Sequence, residues 1–439
     1  MNNLFKKHVI SVVANTKLAL KKNKLNTLVV HSGTPDYYAF DDEEKLFRPL
    51  THFNYFSPLT KPECLLVIGS GKPKLFILEP ADYWYERSVK KESWMENFVV
   101  TKVESTEKIW EKVKILLSSQ KASFIGDASS AEKARNIIAD KKNINNQSVI
   151  EALNELRTQK TDYEVACIKE ANKIAMAGHK AAKKKFLEGG TEKDIHNVFS
   201  LGANITERDF PYGVISALNE KGAILHYQNK RDVGRGKVLL MDAGAKVNGY
   251  ASDITRTWVK PGTNKMFETI VKRLNILQLD LCNKIKPGVT TLVLHHEAHL
   301  GVAKILQDAG IIKISGEEAI KAWLTFPFFP HGLGHFLGIQ THDVGSTNIT
   351  DNSALKNLKT IYPKLRTVRR LEERNAITVE PGIYFIPILL GQLKKHKSSK
   401  LVNWKLVETL LPYGGVRIED NVLVTKNGHL NLTRPFENF

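Results

Sequence analysis

The stretch VLLMDAGAKVNGYASDITRTW, residues 238–258, decides the fold of the second half of this 439-residue chain. Its apolar start carries one acid, Asp242, and Asn248-Gly249 then provides a favoured two-residue hairpin turn. With those two residues in the turn, Asp242 pairs with Thr255 across the hairpin. Asp253 then lies on the same face of the ribbon, diagonal to Asp242, so the two carboxylates are aimed at one point.

These two acids indicate a bound cation, because burying unpaired carboxylates next to an apolar strand is costly. Two other interpretations of the hairpin stay open. The acids could both lie on the surface, or one of them could pair with Arg256.

The segment PHGLGHFLGIQTHD, residues 330–343, places His331, His335 and His342 among glycines. Small residues let the backbone come close to a ligand, and neutral imidazole is the commonest nitrogen donor to metals. Any one of these histidines alone would be typical of a structural role. The three together favour a site.

Two more acids follow in strand-like contexts. Glu380 comes after the apolar run Ala376–Val379, and Glu419 lies in a predicted strand that leads into Val422–Val424. Four carboxylates and one imidazole suit Mn, Co or Zn, and no thiolate is offered. Two such ions sharing a carboxylate would acidify a bridging water and polarise a scissile carbonyl. The sequence therefore predicts a hydrolase with two divalent ions, held by Asp242, Asp253, His335, Glu380 and Glu419.

Length and periodicity predict two domains, because 439 residues exceed the roughly 100–200 residues of one domain. Alternating strands and helices predict an α/β domain over residues 1–155. Residues 156–439 form the second domain, in which the acids and histidines gather, and the basic stretch 391–400 is predicted to be an exposed loop. We expect strands at 27–31, 64–68, 75–78 and 123–126, and helices at 4–23, 106–119, 131–140, 162–187, 265–285 and 290–309.

The formal charge of +18 raises the question of nucleic-acid binding. The lysines are spread along the chain, and the densest groups, 183–185 and 394–400, lack interleaved aromatic residues. We therefore expect a solvated basic surface and no nucleic-acid partner. Three separated cysteines fit a reducing compartment, and no apolar run approaches the roughly 20 residues of a membrane span. These features predict a cytoplasmic protein with no membrane partner.

The five candidate ligands, together with other segments, resemble the pita-bread metallopeptidases, and within them the bacterial Xaa-Pro dipeptidases (prolidases). The resemblance covers nearly the whole chain. It implies an α/β N-terminal domain followed by an α+β pita-bread catalytic domain of the creatinase/aminopeptidase-like kind. The other segments that carry it are His31-Ser32-Gly33, Phe40-Asp41-Asp42, Gly414–Asn421 and Asn431–Arg434.

One segment departs from the family pattern. The family usually has a Gly-containing turn before the Glu380 strand, where this chain reads Glu372-Glu373-Arg374-Asn375. We expect Asn375 to supply the left-handed residue that such a turn needs, since asparagine tolerates that conformation.

The resemblance implies a role for each ligand. Asp242 would hold one ion, and Asp253 and Glu419 would bridge the two. His335 and Glu380 would complete the opposite coordination sphere.

Six further positions match substrate-facing or pocket residues of the family. His331, His342 and His226 would face the substrate, the first two stabilising the tetrahedral intermediate. Arg366 would grip the free carboxylate of a C-terminal proline, a distance that an arginine fork measures well; the alternative is a surface cation. Tyr212 and Arg417 would line the pocket and support the bridging carboxylate, or would be simple core anchors.

The implied reaction is hydrolysis of Xaa-Pro dipeptides by a hydroxide bridging two ions, most often Mn, with Co or Zn as alternatives. Organophosphate ester hydrolysis is an implied side activity, and the implied assembly is a homodimer in which Asp41 and Asp42 approach the partner's site. Two alternatives stay open. One is an aminopeptidase acting on longer peptides with proline second, and the other is a non-catalytic binding protein of the same fold.

Overall fold

The computed structural model describes residues 1–232, 235–345, 353–363 and 365–437. They divide into two compact units: Met1–Arg157 with Thr161–Ala166, and Thr158–Lys160 with Cys167–Phe439. The division predicted from the sequence, 1–155 and 156–439, stays a prediction. Among the described residues, no helix combines the length and apolar character that crossing a membrane requires.

The first unit contains one mixed five-stranded sheet with strand order β4-β3-β2-β1-β5. Strand β1 is antiparallel to β2 and parallel to β5, and β3 is antiparallel to β2 and parallel to β4. The strands are β1 (Thr27–His31), β2 (Leu65–Ile68), β3 (Lys74–Leu78), β4 (Val99–Val103) and β5 (Ala122–Ile125); the helices are α1 (Asn2–Lys22), α2 (Thr51–Phe56), α3 (Thr106–Leu117), α4 (Ala128–Ala134) and α5 (Gln147–Thr158).

Helix α3 shows why these elements form where they do. The Ser105 side chain accepts a hydrogen bond from the Lys108 amide and so caps the helix. Ile109, Val113 and Leu117 recur every four residues and are buried against the sheet. The helix predicted over 131–140 is wrong in its bounds, since α4 begins after the capping residue Asp127 and ends at Ala134.

The second unit is α+β. Its strands form antiparallel sheets in the orders β10-β7-β6 and β11-β14-β15, with two-stranded ribbons β12-β13 and β8-β9. The strands are β6 (Ile215–Leu218), β7 (Val238–Asp242), β8 (Lys246–Val247), β9 (Tyr250–Ala251), β10 (Thr255–Val259), β11 (Ala376–Val379), β12 (Gly382–Tyr384), β13 (Gly415–Arg417), β14 (Asp420–Val424) and β15 (His429–Asn431).

The helices of the second unit cover these sheets. Helix α8 presents Phe267, Ile270 and Leu274 to a core that also contains Ile377 of β11 and Val422 of β14. The helices are α6 (Asp162–Leu187), α7 (Glu192–Ala203), α8 (Lys265–Asn283), α9 (Thr291–Asp308), α10 (Gly316–Lys321), α11 (Ser353–Ile361), α12 (Pro387–Lys395) and α13 (Trp404–Leu410).

The hairpin predicted from residues 238–258 is confirmed. Asp242 of β7 pairs with Thr255 of β10. Asn248 and Gly249 both have positive φ, 51° and 90°, as the two-residue turn requires.

Two local expectations are wrong. The stretch 391–400 is not a loop: it continues α12 into a short 3₁₀ helix, Lys397–Leu401, because Leu390 and Leu393 are buried and Pro387 suits a first helical turn. The left-handed residue before β11 is Arg374, with φ 71°, and not Asn375. Asn375 is instead fully buried, where its side chain accepts from the Glu372 amide and donates to the Thr158 carbonyl.

Candidate metal centre

The β7–β10 hairpin and the break between β13 and β14 bring three acids together. Glu419 lies in that break. The sequence had predicted it within a strand, and that prediction is wrong. Its amide donates to the Thr255 carbonyl at 3.0 Å, and the Thr255 hydroxyl donates to the Glu419 carboxylate at 2.7 Å. Asp253 is held at its backbone by the Asn421 side chain, which accepts from the Asp253 amide at 3.0 Å.

His335 and Glu380 enter from the other side, along the edge of β11. The Thr378 amide donates to the His335 carbonyl at 2.9 Å, and the Glu380 amide donates to the Leu333 carbonyl at 2.8 Å. His335 Nδ1 donates to the Phe336 carbonyl at 2.9 Å. This bond fixes the tautomer in which Nε2 is free to bind a metal. Nε2 lies 3.4 Å from Asp253 Oδ2 and 3.6 Å from Glu380 Oε1.

Gly334 allows this close approach, because a Cβ built there would lie 2.1 Å from the Thr378 carbonyl oxygen. We expect Gly334→Ala to push His335 away from β11 and to weaken Mn binding by about tenfold or more. Titration calorimetry with Mn measures the effect. Gly428→Ala is the matched control, since its Cβ would meet nothing within 4 Å; equal affinities in the two variants would contradict the prediction.

The donor atoms fit a divalent cation. Asp253, His335 and Glu419 are buried, and each offers a ligand atom within 4.8 Å of the other two. Two further buried atoms, Asp242 Oδ1 and the Tyr212 hydroxyl, have no hydrogen-bond partner in the described part of the chain. An oxygen-rich set with one imidazole and an unsatisfied carboxylate oxygen is suited to hard or borderline divalent ions.

The pKa values of the four acids show that packing them together in a buried site is electrostatically unfavourable. Burial raises the pKa of Glu380 to about 7, and burial together with the charge of Asp253 holds the pKa of Glu419 well above its usual range. Burial also raises the pKa of Asp242, against the opposing charge of Arg417. Asp253 differs: burial opposes its ionisation, but His335 keeps its pKa below the usual value. A bound cation would relieve this repulsion.

Arg417 supports the acids from behind. Its guanidinium donates to Asp242 Oδ2 at 2.5 Å, to the Thr255 hydroxyl at 3.0 Å and to the Tyr384 hydroxyl at 2.9 Å. It is 5% exposed, so each bond is shielded from water. The contacts of Thr255 and Tyr384 with Arg417 were not predicted from the sequence. The available signals were the register of Thr255 opposite Asp242 and the position of Tyr384 in β12, shortly after Glu380.

The alternative that Arg256 pairs with a hairpin acid is wrong. Arg256 points to the other side, where it contacts Asp420 Oδ1 at 2.7 Å and Glu437 Oε1 at 2.6 Å. Its Nη1 also donates to the Glu419 carbonyl at 2.7 Å. Arg256 therefore braces the backbone of a candidate ligand and leaves both hairpin acids to the centre.

Three more predicted residues gather beside the ligands. The His342 ring meets the His335 ring edge-on, with centroids 4.5 Å apart. His331 is engaged at both nitrogens: Nδ1 donates to the Gly332 carbonyl, and Nε2 accepts from the Tyr384 hydroxyl, each at 2.8 Å. A substrate-facing role for His331 therefore requires one of these bonds to be exchanged. Proximity to His226 contributes to lowering the pKa of both other rings, so the three imidazoles are neighbours.

The imidazoles of His331 and His342 are kept neutral. Burial, followed by the charge of Arg417, lowers the pKa of His331 to about 3. Burial, followed by the charges of His335 and Arg366, lowers the pKa of His342 to about 4. Arg366 is exposed and close enough to His342 to exert this effect. In the first unit, Asp41 and Asp42 are exposed.

Comparison with known protein families places this geometry in context. Residues 166–426 match the model of metallopeptidase family M24, and residues 3–154 match the N-terminal domain of Xaa-Pro dipeptidases. The chain belongs to metallopeptidase family M24. It is 38% identical over 437 residues to the Xaa-Pro dipeptidase of Salmonella arizonae and 37% identical over 440 residues to that of Pseudoalteromonas translucida, with 98% of each chain covered.

These matches confirm the expected resemblance to the bacterial prolidases of this family and the metal-dependent proline dipeptidase class. Solved structures confirm the pita-bread fold. E. coli aminopeptidase P has a TM-score of 0.75 at 22% identity, with 99% of this chain and 96% of that chain covered. Proline aminopeptidase P II from Yersinia pestis has a TM-score of 0.73 at 21% identity, with 99% and 97% covered.

Proposed function

We propose that this M24 protein hydrolyses dipeptides with a C-terminal proline, using two divalent metal ions. The observation that carries the proposal is the convergence of Asp253, His335 and Glu419 within 4.8 Å, with Asp242 and Glu380 beside them. Near-full-length relatives named Xaa-Pro dipeptidase support the substrate class.

Asp242, Asp253, His335, Glu380 and Glu419 would hold the ions. Manganese is the proposed metal, and cobalt and zinc are the alternatives. When bound, the ions would polarise the scissile carbonyl and lower the pKa of a water.

The chain's own residues supply binding and proton handling. Arg366 would pair with the substrate's free carboxylate, since a guanidinium fork matches that group. Neutral His342 can donate or accept a proton beside the reacting carbonyl. His226 would face the substrate beside it. Tyr212, whose pKa is raised by burial and then by Asp242, stays a protonated hydroxyl donor aimed at the acids.

A small pocket opens beside His335. Its wall is mixed: five apolar side chains lie beside the polar side chains of His335, Thr291, His295, Thr367 and Thr378. Leu365, which precedes Arg366, forms part of the wall, so the pocket reaches from His335 to the residue beside that arginine. The other lining residues include Leu294, Leu333, Ile377 and Val379.

Metal stripping followed by a peptide panel tests the proposal. The stripped protein should be inactive on Ala-Pro, and Mn should restore turnover more fully than Co or Zn. Activity on Ala-Pro should exceed that on Gly-Pro-Ala by about a hundredfold, because the tripeptide's carboxylate lies one residue beyond Arg366. Full activity without metal, or equal activity on both peptides, would reject the corresponding part of the proposal.

An aminopeptidase on longer peptides is the second candidate, favoured by the fold shared with aminopeptidase P. It predicts activity on Gly-Pro-Ala at least equal to that on Ala-Pro.

We further propose slow organophosphate hydrolysis at the same centre, a homodimer that uses Asp41 and Asp42, and a cytoplasmic location. Paraoxon turnover, light scattering and cell fractionation test these three in turn.

A further inference from the structure

One fully buried carboxylate, Glu192, forms hydrogen bonds with several residues of the segment that precedes β7. It is the first residue of α7 and is 0% exposed. Its oxygens accept from the Tyr227 hydroxyl at 2.7 Å, from the Leu218 amide at 2.9 Å and from the Arg231 amide at 2.8 Å. The Arg231 side chain adds a fork, with Nη2 at 2.8 Å from Oε1 and Nε at 3.2 Å from both oxygens.

These donors keep Glu192 ionised. Burial opposes the charge, but the Arg231 hydrogen bond and the two amides hold the pKa of Glu192 below its usual value. A buried carboxylate satisfied by five donors is a rigid anchor, since losing a donor leaves a buried charged oxygen less well paired. Positions 218, 227 and 231 are therefore fixed to one point on α7.

His226 lies in the middle of this anchored segment. Its own side chain is exposed and makes no hydrogen bond within the described ranges. Its neighbour Tyr227 is 5% exposed, and the Tyr227 ring packs in a small core cluster with Leu240 and Tyr384. Tyr384 in turn bonds His331 and Arg417. The position of the His226 backbone therefore depends on how Tyr227 is held.

We infer that Glu192 is a positioning residue, which acts through Tyr227 to hold the backbone of His226 in the neighbourhood of His331 and His342. The inference rests on the proposed function, because His226 matters only if substrate binds in that cluster. A buried acid outside the candidate metal centre would thus contribute to catalysis and not to folding alone.

A double-mutant cycle tests the inference on the Mn-loaded protein with Ala-Pro. Glu192→Gln keeps the size of the side chain and removes its charge, and should lower kcat about tenfold with little change in KM. Combined with His226→Ala, it should cost no more than about twofold beyond His226→Ala alone, because the residue it positions is gone. If the fold-losses in kcat of Glu192→Gln and His226→Ala multiply in the double variant, the inference is overturned.

Glu220→Gln is the matched control. Glu220 is the other carboxylate on Arg231, 3.0 Å from Nη1, but it contacts neither Tyr227 nor Leu218. It should retain the activity of the parent protein. Tyr227→Phe, which removes only the hydroxyl bond, provides a milder variant in case Glu192→Gln folds poorly, and its loss should vanish likewise in the His226→Ala background.

Hydrogen exchange separates failure of this inference from failure of the proposed function. Amides in residues 219–231 should exchange faster in Glu192→Gln than in Glu220→Gln, while the β7–β10 hairpin stays unchanged. If the parent protein hydrolyses no Xaa-Pro dipeptide, the proposed function falls and this comparison still decides whether Glu192 anchors the segment. Unaltered exchange there, or an equal rise throughout the second unit, would overturn the inference.

Discussion

Glu380→Gln is expected to lower turnover of Ala-Pro by about a thousandfold while making the metal-free protein more stable at alkaline pH. The loss follows because the amide removes a charged ligand whose oxygen lies 3.6 Å from His335 Nε2. The gain follows because the amide no longer forces a charge into a buried cluster of acids. Loss of activity through misfolding would lower the melting temperature instead.

The pH dependence of that gain has a definite sign. Burial raises the pKa of Glu380 to about 7 from its ordinary value of 4.5. In the metal-free protein, ionisation therefore costs stability, a cost that is absent below about pH 4.5 and complete above about pH 7. The melting temperature of Glu380→Gln minus that of the parent protein should be positive at about pH 8 and close to zero at about pH 4.5.

Calorimetric melting of both proteins after metal stripping measures this difference. Glu408→Gln is a suitable control, because Glu408 is an exposed acid paired with Lys394 and lies outside the candidate centre. It should change neither turnover nor the pH profile. Full turnover by Glu380→Gln would remove this residue from the ligand set.

Arg366→Met should reduce kcat/KM for Ala-Pro by about a hundredfold, chiefly through KM, if this arginine grips the substrate carboxylate. Activity on Gly-Pro-Ala should fall far less, so the preference for dipeptides should shrink. Steady-state kinetics on the two peptides give both results.

Arg370→Met provides the comparison. Arg370 is also exposed and lies four residues away, but its guanidinium donates to the Gly288 carbonyl. It should behave like the parent protein. A second readout needs no substrate: the pKa of His342, held at about 4 partly by the charge of Arg366, should rise in Arg366→Met and not in Arg370→Met, as followed by NMR. If the two variants have equal kinetics, Arg366 is a surface cation that does not bind the substrate carboxylate.

The sequence predicted the hairpin well because its determinants are local. Asn248-Gly249 requires positive φ at both residues, and the two-residue period of a strand then sets Asp242 opposite Thr255. The boundaries of α6 follow from its own periodicity in the same way. Such features need no knowledge of distant parts of the chain.

Other features depend on contacts that no local pattern encodes. The stretch 391–400 has the charge of a loop, yet tertiary burial of Leu393 makes its start helical. Asn375 is a better left-handed residue than Arg374 by propensity, but its side chain is needed for two buried hydrogen bonds. Tyr384 was missed because its importance comes from bridging Arg417 and His331 across the fold.

The bond between Thr255 and Glu419 joins residues 164 positions apart. Closing so long a segment is slow, and it yields no stabilising contact until the sheets on both sides exist. We therefore expect divalent ions to bind after both sheets have formed, because the candidate ligands are not assembled in the nascent chain.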